Sequence, residues 1–456
     1  MREKKIPVEG LDQTMYMAEC SSDQQMHCLI EFDGKLQAHL LENAIRQTIR
    51  LEKILKLNID RGFFNLYWKN INGAVEDNIF EKEECTGDLQ EKICEFIAEK
   101  IDIRLSPLLK IILIRTASKD TLIFKAHHVL TDASGFSDYI RLVIFIYNKL
   151  MKDPTYIRPD YKVYHRSIQP IKSRYSKWGR FKIMLSSAEV KVREKVPSFP
   201  WGREEAENNI YFVKHIIKKE NVEKAIEYCH EKGFTLNDFL CAVYYKTYYT
   251  YRNELLKIQT SYNPFFLTLD LRNYCRPKNN NALFNYSTGV LLQYYINPEN
   301  SIEDILGQFS QMTADLKIDF TQYSKGNIPG INTVFLLEKI LKIMPFELIF
   351  RGCYLKRESV GCVPGFGNAG DLERVVDQWA DIKVKNAYFI GGLGLCMGAF
   401  GFSSSSFYDE VTFSMNFYGN EKNMGYVAEF FKRFDQTLGS MISIENETII
   451  HKIDRG

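Results

Sequence analysis

Residues 121–135 read TLIFKAHHVLTDASG: an apolar run ends on two adjacent histidines and turns into a polar loop that carries an aspartate. A short apolar run bounded by turn residues reads as a buried strand, and LLKIILIRT at Leu108 to Thr116 is another, so the two predict a hairpin within a sheet. A strand end feeding a loop is where a rigid scaffold presents a base into a cleft. His127 and His128 are the only adjacent pair among eight histidines, and Asp132 is near enough in sequence to fold back toward an imidazole. On residue chemistry alone the string fits an oriented histidine base, a plain polar turn, or part of a metal site. The last follows because His at i and Asp at i+4 share a face if the segment is helical. A working metal centre needs at least three protein ligands and no third ligand cluster is visible, so no metal is expected.

Outward from this stretch, elements of both periods alternate. Leu40, Leu41, Ala44, Ile45, Ile49 and Ile54 return to one face and predict a helix over residues 37–57, and further helices are expected at 89–101 and 136–151. Residues 153–202 differ, with Pro154, Pro159, Pro170, Pro197 and Pro200 and few periodic apolar positions, and read as a long crossover between two halves. Residues 162–196 contain ten Lys or Arg against two Glu. Such a run is either a solvated surface or an electropositive lip for a phosphate-bearing or acidic partner. The second half restarts with a strand at 210–217 and helices at 221–232 and 236–256. Strands at 264–271, 286–296, 387–395 and 411–417 and a last helix at 422–441 follow. The expected organisation is an α/β chain with an N-terminal lobe over 1–152, the crossover over 153–202 and a C-terminal lobe over 203–456.

Composition narrows the function classes. At 456 residues, with 45% hydrophobic and 25% charged side chains, the chain has the balance of a folded globular protein and can bury a full core. A net charge of +2 supplies no global field for a nucleic-acid backbone, so nucleic acid is not an expected partner. The ten cysteines form no C-x-x-C pair and no zinc spacing. The N-terminal MREKKIPVEG lacks a signal-peptide apolar core, and no run approaches a membrane span. These features lead us to expect reduced thiols, no transmembrane segment and a cytoplasmic location.

HHVLTDASG resembles the HHxxxDG signature of the chloramphenicol-acetyltransferase-like superfamily, which includes condensation domains of nonribosomal peptide synthetases, wax-ester and diacylglycerol acyltransferases, and alcohol acetyltransferases. Further stretches resemble the family in order along the chain: DGKLQAHLLENAIRQTIRLEKILKLNI from Asp33, like its first strand and helix; LTLDLRNY at 267–274, like its Arg motif; LFNYSTG at 283–289, like its Phe-x-Asn motif; and GFGNAG at 365–370, like its Ser-Asn-x-Gly turn. The glycine that normally follows the aspartate is Ala133, with Gly135 the next glycine, so a backbone position that usually lacks a β-carbon carries one.

The resemblance implies two lobes, each a mixed sheet packed by helices, with an active-site tunnel between them. It implies transfer of an acyl group from a thioester to a hydroxyl or amine acceptor, with no bound cofactor. The co-substrate is acyl-coenzyme A or a phosphopantetheinyl carrier, and an acyl carrier protein is a candidate partner. Carried over by position, His128 is the general base and His127 supports it, while Asp132 holds the loop through an ion pair with Arg272. Gly135, Asn285, Ser287 and Asn368 are supporting residues. Two other readings stay open: a non-catalytic binding protein of the same fold, and work at a membrane surface on lipid acceptors, suggested by the apolar and lysine-containing stretch 328–355.

Overall fold

The computed structural model describes residues 6–19, 22–71, 75, 78–160, 166–173, 175–186, 197, 199–200, 209–260, 262–274, 283–292, 296–321, 340, 345–352, 363–377, 379–380, 382–394, 400–442 and 446–453. With strands and helices numbered along the chain, β1 (Ile6–Pro7) pairs with β4 (Leu66–Asn70), which pairs with β3 (Leu57–Arg61), in a small antiparallel sheet. A five-stranded sheet has the order β12 (Val384–Ile390), β2 (Gln25–Phe32), β7 (Asp120–His127), β6 (Leu109–Arg115) and β5 (Phe80–Glu84). The expected hairpin is its centre: β6 and β7 run antiparallel, from Leu109 opposite Ala126 to Arg115 opposite Asp120.

Strand β7 is buried along its whole length, which explains why it reads as a continuous apolar run. Its two faces serve different layers. Leu122, Phe124 and Ala126 join the large core made with helices α2 (Ala38–Leu51) and α4 (Ala133–Lys152). On the opposite face, Ile123 meets Ile93, Phe96 and Ile97 of α3 (Leu89–Ala98) together with Phe212, Tyr388 and Ile390 from the second half.

An eight-stranded mixed sheet forms the second half. Its main path is β10 (Ser287–Leu292), β9 (Phe265–Asp270), β11 (Gly365–Asp371), β14 (Gly401–Phe407), β15 (Glu410–Gly419), β8 (Asn209–Ile217) and β16 (Glu447–Ile453), with β13 (Leu393–Gly394) beside β15. Its core is aromatic: Tyr244, Tyr245, Tyr248 and Tyr249 of the helix Leu236–Leu256 pack with Phe265, Phe309, Phe400, Phe402 and Phe430. Strand β12 belongs by pairing to the first sheet, yet Phe389 N donates to Ser405 Oγ at 3.0 Å and Ser414 Oγ donates to Phe389 O at 2.6 Å, so it joins the two sheets.

Three expected elements are corrected. The helix expected over 37–57 stops at Leu51, where Glu52 leaves helical backbone; a 3₁₀ turn at Lys53–Lys56 then buries Leu55 in the same core before β3 begins. The helix expected from residue 136 starts at Ala133, because Asp132 caps it. The glycine-rich stretch at 365–370 is strand β11 and not a turn, flanked by β9 and β14. Phe266 explains the glycine of the neighbouring strand β10: its ring lies across Gly289, where a β-carbon would come within 2.0 Å of it. Most of the stretch 328–355 lies outside the described residues, and among those described no helix is long and apolar enough to cross a membrane.

Candidate active site

His128 stands one residue beyond the end of β7, a half-buried residue, and its backbone N–H donates to Gln24 O at 2.7 Å. Gln24 itself lies at φ 53°, in the left-handed region that costs a non-glycine residue free energy, so the surrounding contacts hold a strained backbone against the histidine loop. The ring Nδ1 lies 2.9 Å from Asn285 Oδ1, and among the described residues Nε2 has no hydrogen-bond partner. Withdrawal from water pushes the imidazole below its usual pKa; the charge of Asp132, the carbonyl of His128 itself and Asn285 act in the opposite direction. The ring is therefore neutral near pH 7.

Asp132 is buried and fully occupied. Oδ1 accepts from Gly135 N at 2.9 Å, which caps α4, and Oδ2 accepts from Arg272 Nη1 and from Tyr286 N, each at 2.7 Å. Arg272 also donates to Phe284 O at 2.9 Å and packs against the Tyr286 ring. Burial works against the Arg272 charge, but Asp132 with Asp270 and Asp138 outweighs it and holds the guanidinium firmly protonated. Ala133 occupies the first helical position, and its methyl packs against the first core.

His127 is fully buried and differently engaged: Val129 N donates to its Nδ1 at 3.1 Å, so its proton sits on Nε2, which faces Glu19 Oε1 at 3.1 Å. Asn285 is also buried. Its Nδ2 donates to His128 O and to Asp12 Oδ1, each at 2.7 Å. Asp12, on α1 (Gly10–Ala18), accepts from Arg166 at 2.7 Å, and Arg166 donates to Leu130 O at 2.8 Å.

The structure thus gathers His128, Asp132, Gly135, Arg272 and Asn285 around one loop, with His127 behind it. Ser287 only opens β10, opposite Asp270. Asn368 bonds to Asn237 and to Gly370 N, outside this network. Of the basic run, Lys172 ends a short helix, while Lys177 and Arg180 lie on the helix Lys177–Ser186, where Lys177 is exposed. Arg174 and residues 187–196 lie outside the described residues. Among the described residues no three His, Cys, Asp or Glu side chains converge as a metal-ligand set.

Sequence reasoning missed Asp12, Arg166, Glu19 and Gln24. Asp12 looks like any acid in a helix first turn, and Arg166 is one cation in a run that reads as surface. Only the fold brings them to residue 285.

The two-lobed arrangement recurs in solved structures. The epimerization domain from the third module of tyrocidine synthetase B superposes with a TM-score of 0.65 at 12% identity, over 96% of this chain and 98% of its own. The first condensation domain of the calcium-dependent antibiotic synthetase gives 0.67 at 11% identity, over 97% of each chain. Polyketide synthase associated protein 5 from Mycobacterium tuberculosis gives 0.61 at 13%, over 96% and 99%. No curated protein matches the sequence at a significant level. Residues 2–254, which carry the histidine loop, Asp12 and Arg166, match the Condensation domain family, and the chain therefore belongs to that family.

Proposed function

We propose that the protein transfers an acyl group from a pantetheine thioester to a hydroxyl or amine acceptor, with His128 as the general base. One observation carries this reading: the neutral imidazole of a half-buried residue, with Nδ1 bonded to Asn285 Oδ1 and Nε2 left without a partner among the described residues. Nε2 takes the proton from the acceptor O–H or N–H as the heteroatom forms its bond to the thioester carbonyl carbon. The C–S bond then breaks, and the departing thiolate recovers the proton from the imidazolium. Asp132 and Arg272 act by holding the loop. His127, with both ring nitrogens engaged by Val129 N and Glu19, supports the strand end.

Membership of the condensation-domain family supports acyl transfer. Acyl-coenzyme A and a carrier-borne phosphopantetheine thioester present the same reacting group, and the basic helix Lys177–Ser186 suits the phosphates of the first and the acidic surface of the second. The working unit is the lobe pair 1–152 and 203–456, joined by the crossover 153–202.

The test is thiol release measured with acyl-coenzyme A donors and, separately, with acylated carrier protein, against mixed alcohols and amines. His128→Ala should lower turnover about a hundredfold to ten-thousandfold. Equal turnover in His128→Ala and wild type removes the general-base role. Binding of donor with no thiol release in wild type, across both donor sets, makes the protein a binding member of the family.

A further inference from the structure

A histidine base works through whichever ring nitrogen lacks the proton, so a fixed tautomer is part of the catalyst. The adjacent histidines of this loop carry opposite ones. At His127 the Val129 N–H occupies Nδ1, which leaves the proton on Nε2. At His128 the residue's own backbone carbonyl also favours a ring proton, and beyond it the question turns on the Asn285 amide, whose oxygen and nitrogen must be assigned from the bonds they make.

The nitrogen of Asn285 has two partners at 2.7 Å, the Asp12 carboxylate and the His128 carbonyl, with the Val129 carbonyl further off at 3.4 Å. All three are acceptors. Turning the amide over would set its oxygen against them, with no donor to replace the bonds lost in a fully buried site. The oxygen must therefore face His128 Nδ1, and an acceptor there requires that Nδ1 carry the hydrogen.

What makes this assignment robust is the charge on Asp12. A carboxylate accepts only, whereas a protonated carboxyl has an O–H to give. Burial pushes the Asp12 carboxyl above its usual range, with Arg166 and Asn285 offsetting only part of that, so the ion pair with Arg166 is what keeps it a carboxylate. Arg166 Nη2 lies 2.7 Å from Asp12 Oδ2, and its guanidinium is packed over Trp68 and Phe284 while donating to the carbonyls of Leu130 and Val129.

We propose that Asp12 and Arg166 are positioning residues that lock the Asn285 amide and, through it, keep the His128 proton on Nδ1, so that Nε2 is the basic nitrogen. This rests on the assignment of His128 as general base. Without Arg166, the buried Asp12 takes up a proton and donates its O–H to the Asn285 oxygen. The amide turns over and presents N–H to His128 Nδ1, and the ring proton moves to Nε2, the wrong side for accepting one from substrate.

The experiment is ¹⁵N NMR of protein labelled at histidine, with the His128 signals assigned by their loss in His128→Gln. The expected result for the wild type near pH 7 is a neutral ring protonated at Nδ1. Arg166→Met, which keeps an apolar stem between Trp68 and Phe284, and Asn285→Leu should both shift the population toward Nε2–H. Each should lower kcat by at least about tenfold with donor KM within about twofold. Arg166→Lys, which keeps a cation beside Asp12, should restore most of the Nδ1–H signal. A wild-type ring protonated at Nε2 overturns the proposal even if every variant fails to fold, and so do folded variants that keep the Nδ1–H signal and full kcat. If His128→Gln retains turnover, the general-base reading falls, while the tautomer measurement still judges the lock.

Discussion

Two buried carboxylate–arginine pairs flank the histidine loop, and they hold different things. Asp132 with Arg272 grips backbone: the carboxylate caps α4 through Gly135 N, accepts from Tyr286 N and ties the loop to the strand region of the second half. Asp12 with Arg166 grips a side chain, the Asn285 amide, with carbonyls of the loop alongside. The first pair therefore bears on whether the loop keeps its shape, the second on where a proton sits within that shape. Similar ion pairs, one residue type for one, can thus serve stability and chemistry separately, according to what the remaining lone pairs of the carboxylate engage.

The largest effect should come from breaking the first pair. Asp132→Ala leaves Arg272 charged and buried and should cost about 3–5 kcal/mol in urea melts, most of it returned in the double variant with Arg272→Ala. Strict additivity would mean that the two side chains do not interact. Asp12→Ala removes no helix cap, so its cost should be smaller by about 1 kcal/mol; an equal cost would erase the distinction drawn between the pairs.

A pH profile sharpens the contrast further. A base must be unprotonated, so activity is lost as pH falls through the His128 pKa of the folded enzyme, which burial sets below 6.5. The acid limb of kcat/KM should lie below that value. Asp132 favours the protonated ring, so Asp132→Asn should move the limb to still lower pH, whereas Asp12 bears on the ring through the Asn285 amide, so Asp12→Asn should act on the ring tautomer and kcat. A limb unmoved by Asp132→Asn would contradict this division.

The smallest effect separates buried from solvated cations of the crossover. Arg166 is largely covered and should act independently of salt, while Lys177 on its surface helix is screened over about 8 Å at physiological ionic strength. Lys177→Ser with Arg180→Ser should raise donor KM at low salt and flatten its salt dependence, with kcat unchanged. An unaltered donor KM and salt slope would make the run a solvated surface.

The site was half legible in the sequence, for reasons specific to each residue. The β6–β7 hairpin and the histidine loop could be read because strand periodicity and motif lie within 30 residues of one another. Asp132 was read as a loop holder, but its capping of α4 was not, which displaced the expected helix start by three residues. Strand β11 read as a turn because its glycines carry no period-2 signal; its place comes from pairing with β9 and β14. Strands β1 to β5, β14 and β16 were missed: the stretch from Asp33 that resembles a first strand and helix begins only after β2 has ended at Phe32, β5 is mostly charged, β14 is a serine run, and β16 pairs at a sheet edge. Asp12 and Arg166 are separated by 154 residues and meet only when the fold is complete.

Strand β12 ties this architecture to the order in which the chain is made. It covers the outer edge of β2, but it lies more than 350 residues downstream of it. Until residue 390 has left the ribosome, the sheet that carries the histidines presents a row of unpaired backbone N–H and C=O groups from an apolar strand, a template for pairing with another chain. A nascent or truncated protein ending before residue 384 is thus the aggregation-prone species, and the same late strand, once docked, is the stitch that makes pulling the lobes apart tear a ladder of main-chain bonds.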